Sequence, residues 1–272
     1  MRQVGELSPA EARSLSGLIF DLDDTLLDHG ALTEAAYSAL FRMREAGLRL
    51  IACTGRPAGW AEVIARQWPI DAAIAENGAV AFVRAPSGEV DRALVPKTPA
   101  AREERRQRRI ELLRLAEELV ARFPDAALAD DNDLRLTDVT IDIGEHRRVN
   151  AEDARSMRSM ALERGVRTLQ SSVHLHLSRE AADKASGSVR LIWELFGEDP
   201  TLALRRYAFA GDSGNDAACF AAFTVTFGVA NVRSHLGRLS VPPRFVASAP
   251  MGRGFAEIAA QIASHRRGPP PG

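Results

Sequence analysis

Leu18-Ile19-Phe20-Asp21-Leu22-Asp23-Asp24-Thr25-Leu26-Leu27 is an apolar run that stops at a group of carboxylates. It reads as a buried parallel strand. Carboxylates at the carboxyl end of a central strand in an α/β protein are costly unless they bind a cation or do chemistry. By themselves, Asp21 and Asp23 could equally be a turn cap, so the rest of the chain decides what they are.

Outward from this run, residues 24–30 form a turn-rich segment, and Thr33 can cap a helix that reaches Ala46 and stops at Gly47. A second strand over 48–53 ends at Thr54-Gly55-Arg56-Pro57, with Pro57 suited to the first turn of the next helix. A third strand over 71–75 runs into Glu76-Asn77-Gly78, a hairpin signal. This β-α-β-α-β order predicts a parallel sheet. From Ala85 the rhythm changes to a Pro-rich link, a charged helix over 99–122, a strand pair around 134–143, a helix over 151–164, and strands over 166–170 and 173–178. The α/β rhythm then resumes with a helix over 184–196, a strand over 207–210, the loop Gly211-Asp212-Ser213-Gly214-Asn215-Asp216 and a helix. A strand over 224–229 and a final strand and helix follow. The expected fold class is α/β: a Rossmann-like parallel-sheet core (1–84 and 184–272) with an inserted α+β domain (85–183). The Pro/Gly-rich tail, 268–272, is expected to be disordered.

The loop GDSGND strengthens the chemical reading of the first run. It follows another strand, and Asp212 and Asp216, four apart, can face one point at a helix start. It lacks the ligand series and terminal Glu of an EF-hand. Two acidic clusters at the ends of two parallel strands suggest a hard divalent cation, with Mg²⁺ the expected one. Thr54 could be an ordinary helix cap, or a hydroxyl beside backbone N–H groups that seats a phosphate. Lys184 opens a helix, where the dipole disfavours a cation unless an anion faces it. His174 and His176 alternate with apolar residues, so both project from one strand face, which is either solvated or turned to a substrate. The run Arg102-Glu103-Glu104-Arg105-Arg106-Gln107-Arg108-Arg109 reads as a solvated helix face.

Composition narrows the class. The 272 residues are 46% hydrophobic and 26% charged, with net charge −1, so bulk electrostatics point to no nucleic-acid or membrane-surface partner. Cys53 and Cys219 lie in apolar segments, as reduced core thiols do, and Met1 to Ser14 holds no apolar signal core. The expected location is the cytoplasm. Only two of the 35 basic residues are lysine, Lys97 and Lys184. Base composition accounts for the general arginine bias, and a lysine kept against it suits a position that wants a compact point charge.

DLDDT (21–25), TGR (54–56), Lys184 and GDSGND (211–216), in this order at strand ends, resemble the four motifs of the haloacid dehalogenase superfamily. The insert after the third strand corresponds to that family's type-two cap, and ENGA (76–79) is typical of its subclass IIB, which includes sugar-phosphate phosphatases. DLDDTLLDH and GDSGNDAACF look most like sucrose-phosphate and mannosyl-3-phosphoglycerate phosphatases. The resemblance implies an Mg²⁺-dependent phosphomonoesterase with Asp21 as nucleophile and Asp23 as general acid and base. Thr54 and Lys184 would hold phosphoryl oxygens. Metal would be held by Asp21, the Asp23 carbonyl and Asp212, supported by Ser213, Asn215 and Asp216. Gly55, Arg56, Asn77, Arg135, His174 and His176 are expected to contact a small phosphorylated substrate. The protein is expected to be a monomer or homodimer. The competing readings are a phosphosugar mutase and a catalytically silent binding or regulatory protein.

Overall fold

The computed structural model describes residues 1–171 and 173–266; the expected disordered tail, 268–272, lies outside the described residues. The chain opens with β1 (Arg2–Gln3) and α1 (Pro9–Ser14), then lays down β2 (Gly17–Phe20), α2 (Glu34–Glu45), β3 (Arg49–Cys53), α3 (Ala58–Gln67) and β4 (Ala72–Ala75). Thr33 caps α2 through its side chain, and Gly47 takes φ +79° just after the helix. Pro57 is the N-cap of α3 rather than its first helical residue. Strands β5 (Val80–Arg84) and β6 (Val90–Ala93) follow.

The large sheet has the order β1, β13 (Phe245–Val246), β12 (Val225–Gly228), β11 (Tyr207–Gly211), β2, β3, β4, β5, β6. It is parallel except at β4–β5 and β5–β6. The boundary expected at 84/85 therefore needs correction. Residues 85–89 form the tight end of a hairpin rather than a link, because β6 pairs with β5 as the last strand of the large sheet. The inserted unit begins after Ala93. The strand β1 was not legible in two polar residues; it exists because β13 offers it a parallel edge.

The β2 residues are all buried and alternate between two cores. Leu18 and Phe20 face the core that includes Leu40, Phe255 and Ile258, while Ile19 faces the one that includes Leu191 and Phe209. Helix α9 (Met251–Arg266) packs on the first side with α2. Helices α6 (Lys184–Phe196) and α8 (Ala217–Ala222) pack on the second, and the short α7 (Pro200–Arg206) leads into β11. A sheet covered on both faces is why its strands read as continuous apolar runs.

The inserted unit holds α4 (Pro99–Arg122), β7 (Ala127–Leu128), β8 (Asp138–Asp142), α5 (Ala151–Glu163), β9 (Arg167–Gln170) and β10 (His174–Ser178). Its antiparallel sheet has the order β7-β8-β10-β9. Val139, Ile141, Leu175 and Leu177 join Leu112, Leu119 and Met157 in a separate core. The strand pair expected around 134–143 is one strand, β8, whose earlier partner is the two-residue β7. Residues 130–134 form a 3-10 turn instead. The charged run on α4 is largely exposed, with Gln107 donating to Glu103 and Arg108 to Glu104 four residues back.

Candidate active site

Strands β2 and β11 are in parallel register, with Phe20 opposite Ala210, so each delivers a carboxylate to the same end of the sheet. Asp21 continues the ladder by donating its N–H to the Ala210 carbonyl at 2.9 Å. Lys184, the first residue of α6, extends its ammonium to 2.7 Å from Asp21 Oδ1 and 2.7 Å from Asp216 Oδ1. All three side chains are buried. The anions that justify a lysine at a helix start are thus supplied by the protein itself. Asp216 Oδ2 accepts the N–H groups of Asp212 (2.9 Å) and Ser213 (3.1 Å), and a Cβ on Gly211 would lie 2.4 Å from that oxygen. Only glycine lets the loop close over the carboxylate.

Asp212 accepts from the Thr25 hydroxyl at 3.3 Å and from Asn231 Nδ2 at 2.9 Å. Asn231 also donates to the Asp24 carbonyl (2.9 Å) and accepts from the Met251 N–H (3.1 Å), tying both acidic loops to the start of α9. Burial pushes Asp21 up to about 7, with Asp216 and Asp23 adding to the effect and Lys184 opposing it. Burial likewise pushes Asp212 up to about 8, reinforced by Asp216 and Asp21. Lys184 is raised well above its usual value; its burial opposes this, and the two aspartates outweigh it.

Asp21, Asp212 and Asp216 each bring an oxygen within 4.8 Å of the others. One ammonium balances one of three carboxylates, so the other two are left for protons or a cation in a buried, oxygen-only site. That donor set fits a hard divalent cation. Asp216 is the least free of the three, since Lys184 and two N–H groups already occupy it.

Asp23 stands apart, on the Arg56 guanidinium: Nε is 3.0 Å from both carboxylate oxygens and Nη2 is 2.6 Å from Oδ1. Arg56 lies 4.5 Å over the Trp60 ring. Thr54 is buried and its hydroxyl accepts the Arg56 N–H at 3.1 Å, which leaves its O–H free to donate.

The inserted unit roofs this floor with the polar face of its sheet. Asp21, Asp23, Gly55, Arg56, Trp60, Asp131, Glu145, His174, His176, Asp212, Ser213 and Asn215 are among the residues lining a cavity of about 430 Å³ between the two. His176 is buried, with Nδ1 3.0 Å from Asp138 Oδ2, and burial lowers its pKa against the pull of Asp138. His174 Nε2 lies 2.9 Å from Glu145 Oε2. The face expected to be either solvated or functional therefore faces the cavity.

Two expected substrate contacts are placed elsewhere. Arg135 does not line the cavity. Its guanidinium is spent on Asp131 (2.9 and 2.8 Å), Asp138 (3.1 Å) and the Gly55 carbonyl (3.1 Å), which makes it a strut from cap to core. Asn77 is buried beneath Gly55, and its Oδ1 has no hydrogen-bond partner. Lys184 and Thr54 are buried rather than in the cavity wall. Trp60, Asp131, Glu145 and Asn231 were not singled out from sequence. Trp60 carries a signal in hindsight, four residues after Arg56 across a helix start; Asn231 carries none, because only the tertiary fold brings it to Asp212.

Residues 18–93 match a family model described as haloacid dehalogenase-like hydrolase. No curated protein matches the sequence. Solved structures match along nearly the whole chain. A Thermoplasma acidophilum protein has TM-score 0.70 at 18% identity, covering 91% of this chain and 98% of its own. The chain has the haloacid dehalogenase-like fold. A Synechocystis sucrose-phosphatase, solved with sucrose and phosphate, shares that fold with TM-score 0.63 at 15% identity, over 91% of this chain and 98% of its own. A sugar phosphatase of subclass IIB shares it with TM-score 0.61 at 15% identity, over 91% and 99%. The dehalogenase-like signature thus lies in the first half of the sheet, and the fold extends through the cap. Among the described residues, no helix is long and apolar enough to cross a membrane.

Proposed function

We propose that the protein is an Mg²⁺-dependent phosphomonoester hydrolase that acts on a sugar phosphate through an aspartyl-phosphate at Asp21. The observation that carries this reading is the pair of neighbouring carboxylates with different partners. Asp21 is fixed on the floor by Lys184 at 2.7 Å, and Asp23 is held on the wall by Arg56.

An Asp21 oxygen attacks phosphorus, and the bond from phosphorus to the leaving oxygen breaks. Asp23 gives that oxygen its proton, then takes one from a water. The water oxygen attacks phosphorus, the Asp21–phosphorus bond breaks, and inorganic phosphate leaves. Lys184 and the Thr54 hydroxyl supply donors for phosphoryl oxygens, and Asp216 keeps the lysine in place. Asp21, Asp212 and the Asp23 carbonyl would hold Mg²⁺, with Ser213 and Asn215 beside them. When bound, the cation neutralises phosphoryl charge and lowers the proton affinity of the buried carboxylates.

Phosphate release from a panel of phosphate esters, including p-nitrophenyl phosphate, tests the reading. Release without isomerised sugar phosphate distinguishes it from a mutase, and no release from any ester supports a silent protein. Asp21→Asn should abolish turnover in a folded protein; substantial remaining activity would sink the nucleophile assignment.

A further inference from the structure

The cavity divides chemically between floor and roof. The floor is occupied by groups suited to the phosphoryl unit, so whatever is attached to phosphorus lies under the cap. The cap side offers mainly hydrogen-bond acceptors. Asp131 is clamped through both oxygens by Arg135, at 2.9 and 2.8 Å, and still lines the cavity. Asp130 and Glu145 line it from more exposed positions, Glu145 with one oxygen 2.9 Å from His174 Nε2. His176 reaches it with Nδ1 committed to Asp138, which itself faces Arg135, so Nε2 is the ring atom left for a ligand. As the anion, Asp138 accepts, which puts the proton on Nδ1 and makes Nε2 an acceptor.

The cations nearby are already engaged. Arg135 is buried and bonded to two carboxylates and a carbonyl, and Arg56 is bonded to Asp23. Trp60, exposed and with Arg56 over its ring, lines the same cavity, as do Leu134 and Val173. Acceptors beside an aromatic face suit a ligand that donates hydroxyl hydrogens and presents C–H surface. The same wall repels a carboxylate.

We infer that the cap selects an uncharged, hydroxyl-rich leaving group and rejects one that carries a carboxylate. This rests on the phosphatase reading and sharpens it. Of the two activities the sequence resembles, it favours a neutral sugar phosphate over a glycosyl phosphoglycerate.

The test uses a matched pair with one carbon skeleton: a hexose 6-phosphate and the corresponding 6-phosphoaldonate. Both are titrated calorimetrically, with Mg²⁺, into the Asp21→Asn protein, and wild-type turnover of p-nitrophenyl phosphate is measured in parallel. The neutral sugar phosphate should bind about tenfold more tightly or better, as expected where a site's polar groups discriminate. Neutralising the two exposed acids together, Asp130→Asn with Glu145→Gln, should narrow that gap at least about threefold. Equal or reversed affinities overturn the charge rule even if p-nitrophenyl phosphate is hydrolysed. A gap untouched by the double variant overturns the assignment to this wall. A preserved preference without p-nitrophenyl phosphate turnover upholds the charge rule and counts instead against the phosphatase reading.

Discussion

The Glu76 carboxylate, at the end of β4, accepts both the backbone N–H (2.6 Å) and the hydroxyl of Thr137, at the start of the cap sheet. It also accepts the N–H groups of Leu136 at 2.8 Å and Ala58 at 3.0 Å. One buried side chain thus joins the helix after the TGR loop to the cap.

Replacing Glu76 with Ala would strand three backbone donors. A buried polar group left unpaired costs about 1–3 kcal/mol, so Glu76→Ala should lower stability by about 3 kcal/mol or more in urea unfolding. Amide exchange should accelerate first at 134–138. Unchanged protection there would show that the cap is held by other contacts.

Lys184→Met would leave Asp21 and Asp216 facing each other without a cation. Removing one partner of a buried ion pair costs about 3–5 kcal/mol, and losing one transition-state donor costs about 10²–10³ in kcat. Both effects should be present, the stability loss being measured without divalent cation and the kcat loss with it. Near-wild-type kcat in the variant would remove Lys184 from the phosphoryl site.

Stability should fall with rising pH when no divalent cation is bound. Asp21 and Asp212 are raised from 3.8 to about 7 and about 8, so the folded state holds protons that the unfolded state has released. Their stabilising contribution is full below about pH 4 and is lost as pH rises through 7 and 8. A divalent cation displaces those protons, so its stabilising effect should grow across the same window. Thermal unfolding at pH 5.5 to 8.5, with chelator and with Mg²⁺, reads this directly. Parallel Tm curves would contradict it.

Asn231→Ala should weaken metal binding by about tenfold or more, in the range seen when a partner of a metal-binding side chain is removed. Asn231 fixes Asp212 and the Asp24 carbonyl together. Calorimetric titration of Mg²⁺ provides the readout, and an unchanged Kd would confine Asn231 to a structural role at α9.

The floor of the site was legible because each of its parts sits where a local signal is strongest. Asp21, Thr54 and Asp212 follow buried strands, and Lys184 opens a helix against its dipole. The cap was less legible. Arg135 looked like a substrate contact, because the sequence cannot say that Asp131 and Asp138, four before and three after it, consume its donors. Strand β6 was hidden by the Pro, Ser and Gly of its own hairpin turn. Trp60 and Asn231 gain their meaning only from neighbours distant in sequence or across a turn of helix.

The turn Glu76–Gly78 also packs against the start of α6: a Cβ on Gly78 would lie 2.1 Å from the Asp183 carbonyl oxygen. Its Asn77 N–H is bonded to the Thr54 carbonyl at 3.1 Å. The cap is therefore exchangeable only in part. A recombined cap could bring new groups on β8 and β10 and so a new substrate range. It would still need two adjacent N–H donors to fill the Glu76 socket and a guanidinium to reach the Gly55 carbonyl. A graft without them would leave a buried carboxylate beside the helix that carries Lys184, and the loss would register at the phosphoryl site as much as at the sugar.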